Sequence, residues 1–289
     1  MTRKALTIAK RRIVNKKRNN SRAKKQRRAS IIVDAGFANA AQLVLPAHES
    51  MELVLVGCGG TGSWLAPSLV RLARLVPDIS VTFVDLDTVN EINIPRQNFC
   101  YPEVGRYKAE ALAQRYSAAW GVEIGFQTER FTASLLKRSF RDITILIGCV
   151  DNAAARKAIA SALSNNTWWL DSGNSSDHGQ VLLGSTSNKA TLKKAFPQPK
   201  ICNALPSPAI QSPDLLTARP VKTNLKLSCA ELQAANAQSL AINQRMAAEV
   251  SDYLMRMIVG PGLRRFATTI DLVTGSARSR PITPEEVCR

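Results

Sequence analysis

The sequence is short of the residues most enzymes use for proton transfer and metal binding. Its 289 residues include two histidines, His48 and His178. That is too few for a His-based metal site or an obvious Ser–His–Asp triad. Six cysteines (Cys58, Cys100, Cys149, Cys202, Cys229 and Cys288) are scattered; no two form Cys-x-x-Cys, and the nearest pair, Cys202 and Cys229, lies 27 apart. This pattern argues against a disulfide framework and a four-cysteine zinc site, and it fits a reducing cytoplasm. No run of about 18 apolar residues exists, so no membrane-spanning helix is expected. The basic N-terminus lacks an apolar stretch of about 7–15 residues behind it, so it does not read as a secretory signal.

Acidic residues are missing altogether from residues 1–28, which hold thirteen Lys or Arg. Of the 39 basic residues 26 remain elsewhere, against 22 acids, so the body carries only about +4 of the formal +17. The charge therefore describes a tail and does not make the folded body a nucleic-acid surface. Residues 1–30 read as a basic tail expected to be disordered in isolation, since like charges repel and little apolar surface is available. Three readings of it stay open: nonspecific DNA or RNA binding, a solvated extension, and a targeting or membrane-surface segment. Aromatics are absent from 1–28, so any nucleic-acid contact would be with phosphates and not by base stacking.

The remainder, 31–289, reads as one α/β domain with a core over 51–186. "MELVLVG" (51–57), "ISVTFVDLD" (79–87) and "ITILIGCVDN" (143–152) are short apolar runs of the buried parallel-strand type. Helical spacing follows each: residues 61–75, about 106–119, and a segment reaching Leu163. "TWWLDSGN" and "GQVLLGST" read as two further strands. The alternation predicts a Rossmann-like, doubly wound, mostly parallel sheet. Six prolines between 186 and 228 exclude a long helix there, so 187–228 reads as a crossover loop. A long helix over about 230–257 and a hairpin turned at Thr274-Gly275 complete the chain. Trp168 and Trp169 suit core packing, and His178 beside Asp177 suits a surface hydrogen bond.

The first strand runs into Gly57-Cys58-Gly59-Gly60-Thr61-Gly62-Ser63 and then straight into a helix. Such a loop lets backbone approach a phosphate chain, and the helix start offers free N–H groups. Asp85, about 20 residues on at the end of the second strand, can hold ribose hydroxyls. On these features alone a nicotinamide-dependent dehydrogenase would lead. The residues behind Asp85 change that ranking. Asp87, Asn93, Arg96, Gln97 and Lys108 crowd there, where a dehydrogenase needs one acid. Arg and Lys beside a glycine loop suit a triphosphate whose charge must be neutralised in the transition state. Asp151-Asn152 lies on the same sheet edge, and a carboxylate there could ligate Mg²⁺ or cap the next helix.

The motifs "GCGGTGS", "VDLDTVNEINIPRQNF", "VGRYK" and "GCVDN", in that order, resemble the ThiF/MoeB-type adenylyltransferases, relatives of the ubiquitin-activating enzymes. "WWLDSGNSSDHGQVLLG" and "SCAELQ…SLAINQ" are similar to the ThiF-like subgroup of PRTRC plasmid cassettes. The resemblance implies that Mg-ATP sits on Gly57, Gly59, Gly60, Gly62 and Ser63. Asp85 would hold the ribose, while Asn93, Arg96 and Lys108 would contact phosphates. Asp151 would bind Mg²⁺ with Asn152 beside it, and Asp87 and Gln97 would support the site. It further implies transfer of AMP to the C-terminal carboxylate of a small ubiquitin-like or sulfur-carrier protein. A homodimer is implied too, with an arginine of the partner's N-terminal segment at the nucleotide. Some members then capture the carrier on a cysteine as a thioester. Cys229, in "KLSCAEL" at the start of the long helix, is the candidate and Cys202 its rival. Cys58, Cys100 and Cys149 suit packing. Without Cys-x-x-Cys pairs, no zinc is expected. A catalytically silent nucleotide-binding scaffold recruited to nucleic acid by the tail is the alternative from another class, and a NAD(P)-dependent oxidoreductase the third.

Overall fold

Strand β2 (Ser50–Val56) is apolar and buried from Leu53 to its end because both its faces are covered there. Met51, Leu53 and Leu55 enter one hydrophobic core and Val54 and Val56 another. Around it, β3 (Ile79–Val84), β4 (Gly125–Gln127), β5 (Asp142–Gly148) and β6 (Thr167–Asn174) run parallel. Then β7 (His178–Gly184), β9 (Arg265–Asp271) and β10 (Ser276–Pro281) add antiparallel strands, giving the order β10-β9-β7-β6-β5-β2-β3-β4. A two-residue pair, β1 (Gln42–Leu43) with β8 (Ile201–Cys202), stands apart. The computed structural model describes residues 35–136, 141–217 and 229–289, excepting the side chains of Ala35 and of residues 229–239. The chain divides into residues 1–38 and a unit Asn39–Arg289, and the fold described is that of the second unit. The basic tail lies outside the described residues.

Four helices matter to the site. α1 (Gly60–Leu75), α2 (Lys108–Trp120) and α4 (Cys229–Ile258) flank one face of the sheet, and α3 (Ala153–Ser161) the other. Trp168 packs into the first core and Trp169, its neighbour on the strand, into the second. The chain leaves β2 for β3 on one side, then returns to β5 on the other. This reversal leaves a crevice at the carboxyl ends of β2, β3 and β5, where open α/β sheets take their ligands.

The expected sheet is present, and the differences are local. The second strand stops at Val84, not residue 87, because the Asp85 carboxylate turns the chain by accepting the Asp87 N–H at 2.8 Å. The third stops at Gly148, since Asn152 caps α3 through the Ala155 N–H at 2.9 Å. The crossover is more built than expected. Residues 189–193 and 208–211 are helical, and Cys202, Leu205, Ser207 and Leu215 are buried. Residues 218–228 lie outside the description. Among the described residues no helix is long and apolar enough to cross a membrane.

Candidate active site

The glycine loop is held from both sides by backbone. Gly57 has φ +92°, in the region that favours glycine. A Cβ there would come within 2.6 Å of the Cys149 carbonyl oxygen, and one on Gly62 would overlap the Gly57 carbonyl. These glycines let the loop fold down onto the end of β5 and let α1 begin at once. Gly59 precedes α1 without a side-chain cap. The first-turn N–H groups therefore lack the partner a Ser or Asp would supply and stay available to an anion.

Asp85 stands at the end of β3 and grips this loop. One carboxylate oxygen accepts the Cys58 N–H at 2.6 Å and the other the Asp87 N–H. Burial raises its pKa, and the two backbone donors and Lys108 offset part of that. Lys108 opens α2, almost fully buried, with its ammonium 3.1 Å from the exposed Asp87 carboxylate. The Lys108 N–H also donates to the Asp87 carbonyl at 2.8 Å, so the two are joined at backbone and side chain. Asp85, Asp87 and Lys108 thus form one contiguous cluster with the glycine loop.

Arg96 follows the 3₁₀ turn at Glu91–Asn93, and its backbone lies against α1. Asn93 is buried; its side-chain oxygen accepts the Asn90 N–H at 3.0 Å, and its carbonyl accepts the N–H groups of Arg96 and Gln97. The Arg96 carbonyl accepts the Trp64 indole N–H at 3.2 Å, fastening the turn to α1. Among the described residues the buried Arg96 Nε and Gln97 Oε1 have no hydrogen-bond partner. Buried polar atoms without a partner are uncommon and suit a site built for a ligand. The Asn93 side-chain oxygen and carbonyl shape the turn that leads into Arg96.

Asp151 is exposed at the end of β5. Because Asn152 caps α3, the Asp151 carboxylate is not spent on the helix; its contact there is the Asn152 amide at 3.3 Å. No cluster of three His, Cys, Asp or Glu able to hold a metal occurs among the described residues. A single carboxylate together with substrate phosphates nonetheless suits Mg²⁺.

Ser63 takes an internal place. It is fully buried, donates to the Gly60 carbonyl at 3.1 Å and accepts the Asn98 N–H at 2.9 Å, so its hydroxyl is committed to the protein. Burial raises Cys58 and Cys149, and pushes Cys202 up to about 11. All three are poor nucleophiles near neutral pH, which weakens Cys202 as a rival acceptor. Cys229 opens α4, and its side chain lies outside the described residues. His178 is a surface residue 3.6 Å from Asp271.

One participant was not singled out as a site residue, although it lies in "SLAINQ" and is an Asn inside a helix, where that residue is a poor former. Asn243 of α4 donates to the Arg96 carbonyl at 3.3 Å and accepts from Thr61 at 3.4 Å and from Asn174 at 3.1 Å. It ties α4 to the first turn of α1, to the Arg96 turn and to the end of β6.

The ThiF family profile matches residues 35–287. Ubiquitin-like modifier-activating enzyme 5 of Dictyostelium discoideum is 28% identical over 160 residues, which is 48% of this chain and 40% of that protein. The chain therefore spans about two fifths of the length of this curated relative. Among solved structures, PaaA superposes with a TM-score of 0.53 at 18% identity, over 80% of this chain and 64% of its own. Escherichia coli MccB, solved with MccA-N7isoASN, gives 0.52 at 16% identity, over 82% and 67%. At these identities the structural likeness speaks to the fold.

Proposed function

The chain belongs to the ThiF family, and from that premise we propose that it is an ATP-dependent adenylyltransferase. Its substrate would be the C-terminal carboxylate of a small ubiquitin-like or sulfur-carrier protein. The observation that carries this reading is that the Asp85–Asp87–Lys108 cluster holds the glycine loop, with the Arg96 backbone fastened to α1 and the Cys149 carbonyl, two residues before Asp151, against Gly57. The family resemblance and the activating-enzyme relative support it.

A carboxylate is a weak nucleophile repelled by a triphosphate, so the site must supply alignment and positive charge; no general base is needed. That suits a chain with two histidines. The carboxylate oxygen bonds to the α-phosphorus, the bond from that phosphorus to the bridging oxygen breaks, and pyrophosphate leaves with the electron pair. Asp85 would orient the ribose, and the α1 N-terminus would receive phosphate oxygens. Arg96 and Lys108 would meet charge on the departing pyrophosphate. Asp151 would hold Mg²⁺, which supplies further charge neutralisation when bound. Capture of the activated carrier on Cys229, a homodimer and a cytoplasmic setting belong to the same reading.

The test is pyrophosphate exchange into ATP with a purified carrier ending in Gly-Gly. Exchange should require both Mg²⁺ and the carrier. Arg96→Ala should lower it by about 10²–10³-fold. Full exchange in that variant, or no exchange with the cognate carrier, would sink the proposal.

A further inference from the structure

We propose that the buried ion pair Arg156–Asp171 is a positioning pair that pins the turn carrying Asp151. The inference rests on the adenylation reading for the role of Asp151, and on geometry alone for the pin. Asp171, on β6, is wholly buried, and Arg156 in the first turns of α3 is nearly so; the guanidinium Nε lies 3.1 Å from one carboxylate oxygen. The other oxygen, Asp171 Oδ2, has no partner among the described residues. A pair like this is weak evidence for stability, since well-packed apolar residues often serve as well. Its place in the fold points to another use.

The pair touches the Asp151 turn from both ends. Upstream, Asp171 is the register partner of Gly148, the last residue of β5. A Cβ on Gly148 would lie 3.3 Å from Asp171 Oδ1 and 3.0 Å from the Trp169 indole nitrogen. The strand end is thus seated directly against the carboxylate, three residues before Asp151. Downstream, the Arg156 N–H donates to the Asn152 carbonyl at 3.3 Å, and the Asn152 side chain caps Ala155 and donates to the Asp151 carboxylate. A continuous path therefore runs from Asp171 through Arg156 and Asn152 to Asp151. Asp151 and Asn152 are exposed and have little packing of their own. The buried pair one turn further on is what fixes where that carboxylate stands.

The test uses the full chain, free of nucleotide and metal, followed by hydrogen exchange at residues 147–160. Asp171→Ala alone would leave Arg156 buried and unpaired and could unfold the protein, so the decisive variant is Arg156→Met with Asp171→Leu. That double variant should melt within a few degrees of the parent, yet exchange the Ala155 and Arg156 amides at least about tenfold faster. In the parent itself these amides should be as protected as the centre of α3, although they lie at a helix end. A parent first turn that frays about tenfold faster than the helix centre, or a folded double variant with parental exchange, overturns the pin. A second arm titrates Mg²⁺ against ATP binding. The double variant should need at least about tenfold more Mg²⁺ for half-maximal effect, with metal-free ATP binding unchanged. A parental response to Mg²⁺ would refute the positioning role. A parent that gives no Mg²⁺ response counts against the adenylation reading, and the exchange arm still decides the pin.

Discussion

The carboxyl of Asp171 should make the protein less stable as pH rises, opposite to the usual ion-paired acid. Burial is the larger influence and lifts its pKa from 3.8 to about 6; the Arg156 charge and hydrogen bonds pull downward without cancelling it. Between those two values the folded protein keeps a proton that the unfolded chain has released, so stability falls with pH across that window. Below it both states are protonated, above it both are ionised, and this group contributes no slope. A gap of about two pH units corresponds to roughly 3 kcal/mol. Asp171→Asn keeps the shape and stays neutral at every pH. Urea unfolding of both proteins from about pH 4 to about pH 7.5, at equal ionic strength, gives two stability curves. Their difference isolates Asp171, because every other group titrates in both. The parent should lose up to about 3 kcal/mol relative to Asp171→Asn by about pH 6.5 and nothing more beyond it. A parent that gains on the variant over that interval would show that pairing with Arg156 outweighs burial, and the reasoning would be wrong.

Gly62→Ala should cost more than about 2 kcal/mol and weaken ATP binding, because its Cβ overlaps the Gly57 carbonyl and the loop must shift; chemical denaturation and calorimetry read both. Asn243→Ala removes the hydrogen bonds that Thr61, Asn174 and the Arg96 carbonyl make to that side chain, the carbonyl keeping the Trp64 indole N–H. It should cost about 1–3 kcal/mol and raise the Kd for ATP; unchanged affinity would show that α4 does not brace the loop. Cys229→Ala should abolish a thiol-sensitive carrier conjugate on gels while pyrophosphate exchange persists, and a surviving conjugate would place the acceptor elsewhere.

The sheet was legible because apolar runs at β2, β3 and β5 need both faces covered, a condition written into composition. The glycine loop and Asp85 were legible for a similar reason, since backbone geometry there restricts residue type. Strand ends were less so. β3 and β5 end where Asp85 and Asn152 hydrogen-bond backbone N–H groups, and the same residues could have continued a strand. Ser63 looked like part of a phosphate loop because it follows the glycines directly, yet the Asn98 N–H, 35 residues away, donates to its hydroxyl. Asn243 meets Thr61 across 182 residues, and no local pattern encodes such a contact. Arg156 and Asp171, 15 apart, read as ordinary members of a helix and a strand until folding buries them together. Sequence shows what a segment must do by itself, and fold contacts decide which polar atoms remain for a ligand.

The charge at the sheet edge now bears more weight than the +17 of the whole chain. The proposed site has two cations, Arg96 and Lys108, and three carboxylates, Asp85, Asp87 and Asp151. Lys108 is already paired with Asp87 at 3.1 Å, and Asp85 is tied to backbone donors that hold its charge in place. The balance of these five groups is negative, so the cleft is no general trap for anions. A triphosphate carrying about four negative charges would meet the three carboxylates with Arg96 as the cation still free among these five groups. Coulomb repulsion between charges roughly 4 Å apart, in a site of reduced dielectric, is worth several kcal/mol. Metal-free ATP should therefore bind at least about tenfold more weakly than Mg-ATP, equivalent to about 1.4 kcal/mol. Calorimetry with ATP in excess Mg²⁺ and in chelator decides the matter. Equal affinity in the two would mean that the α1 N-terminus and Arg96 suffice, and that Asp151 has no part in holding the nucleotide.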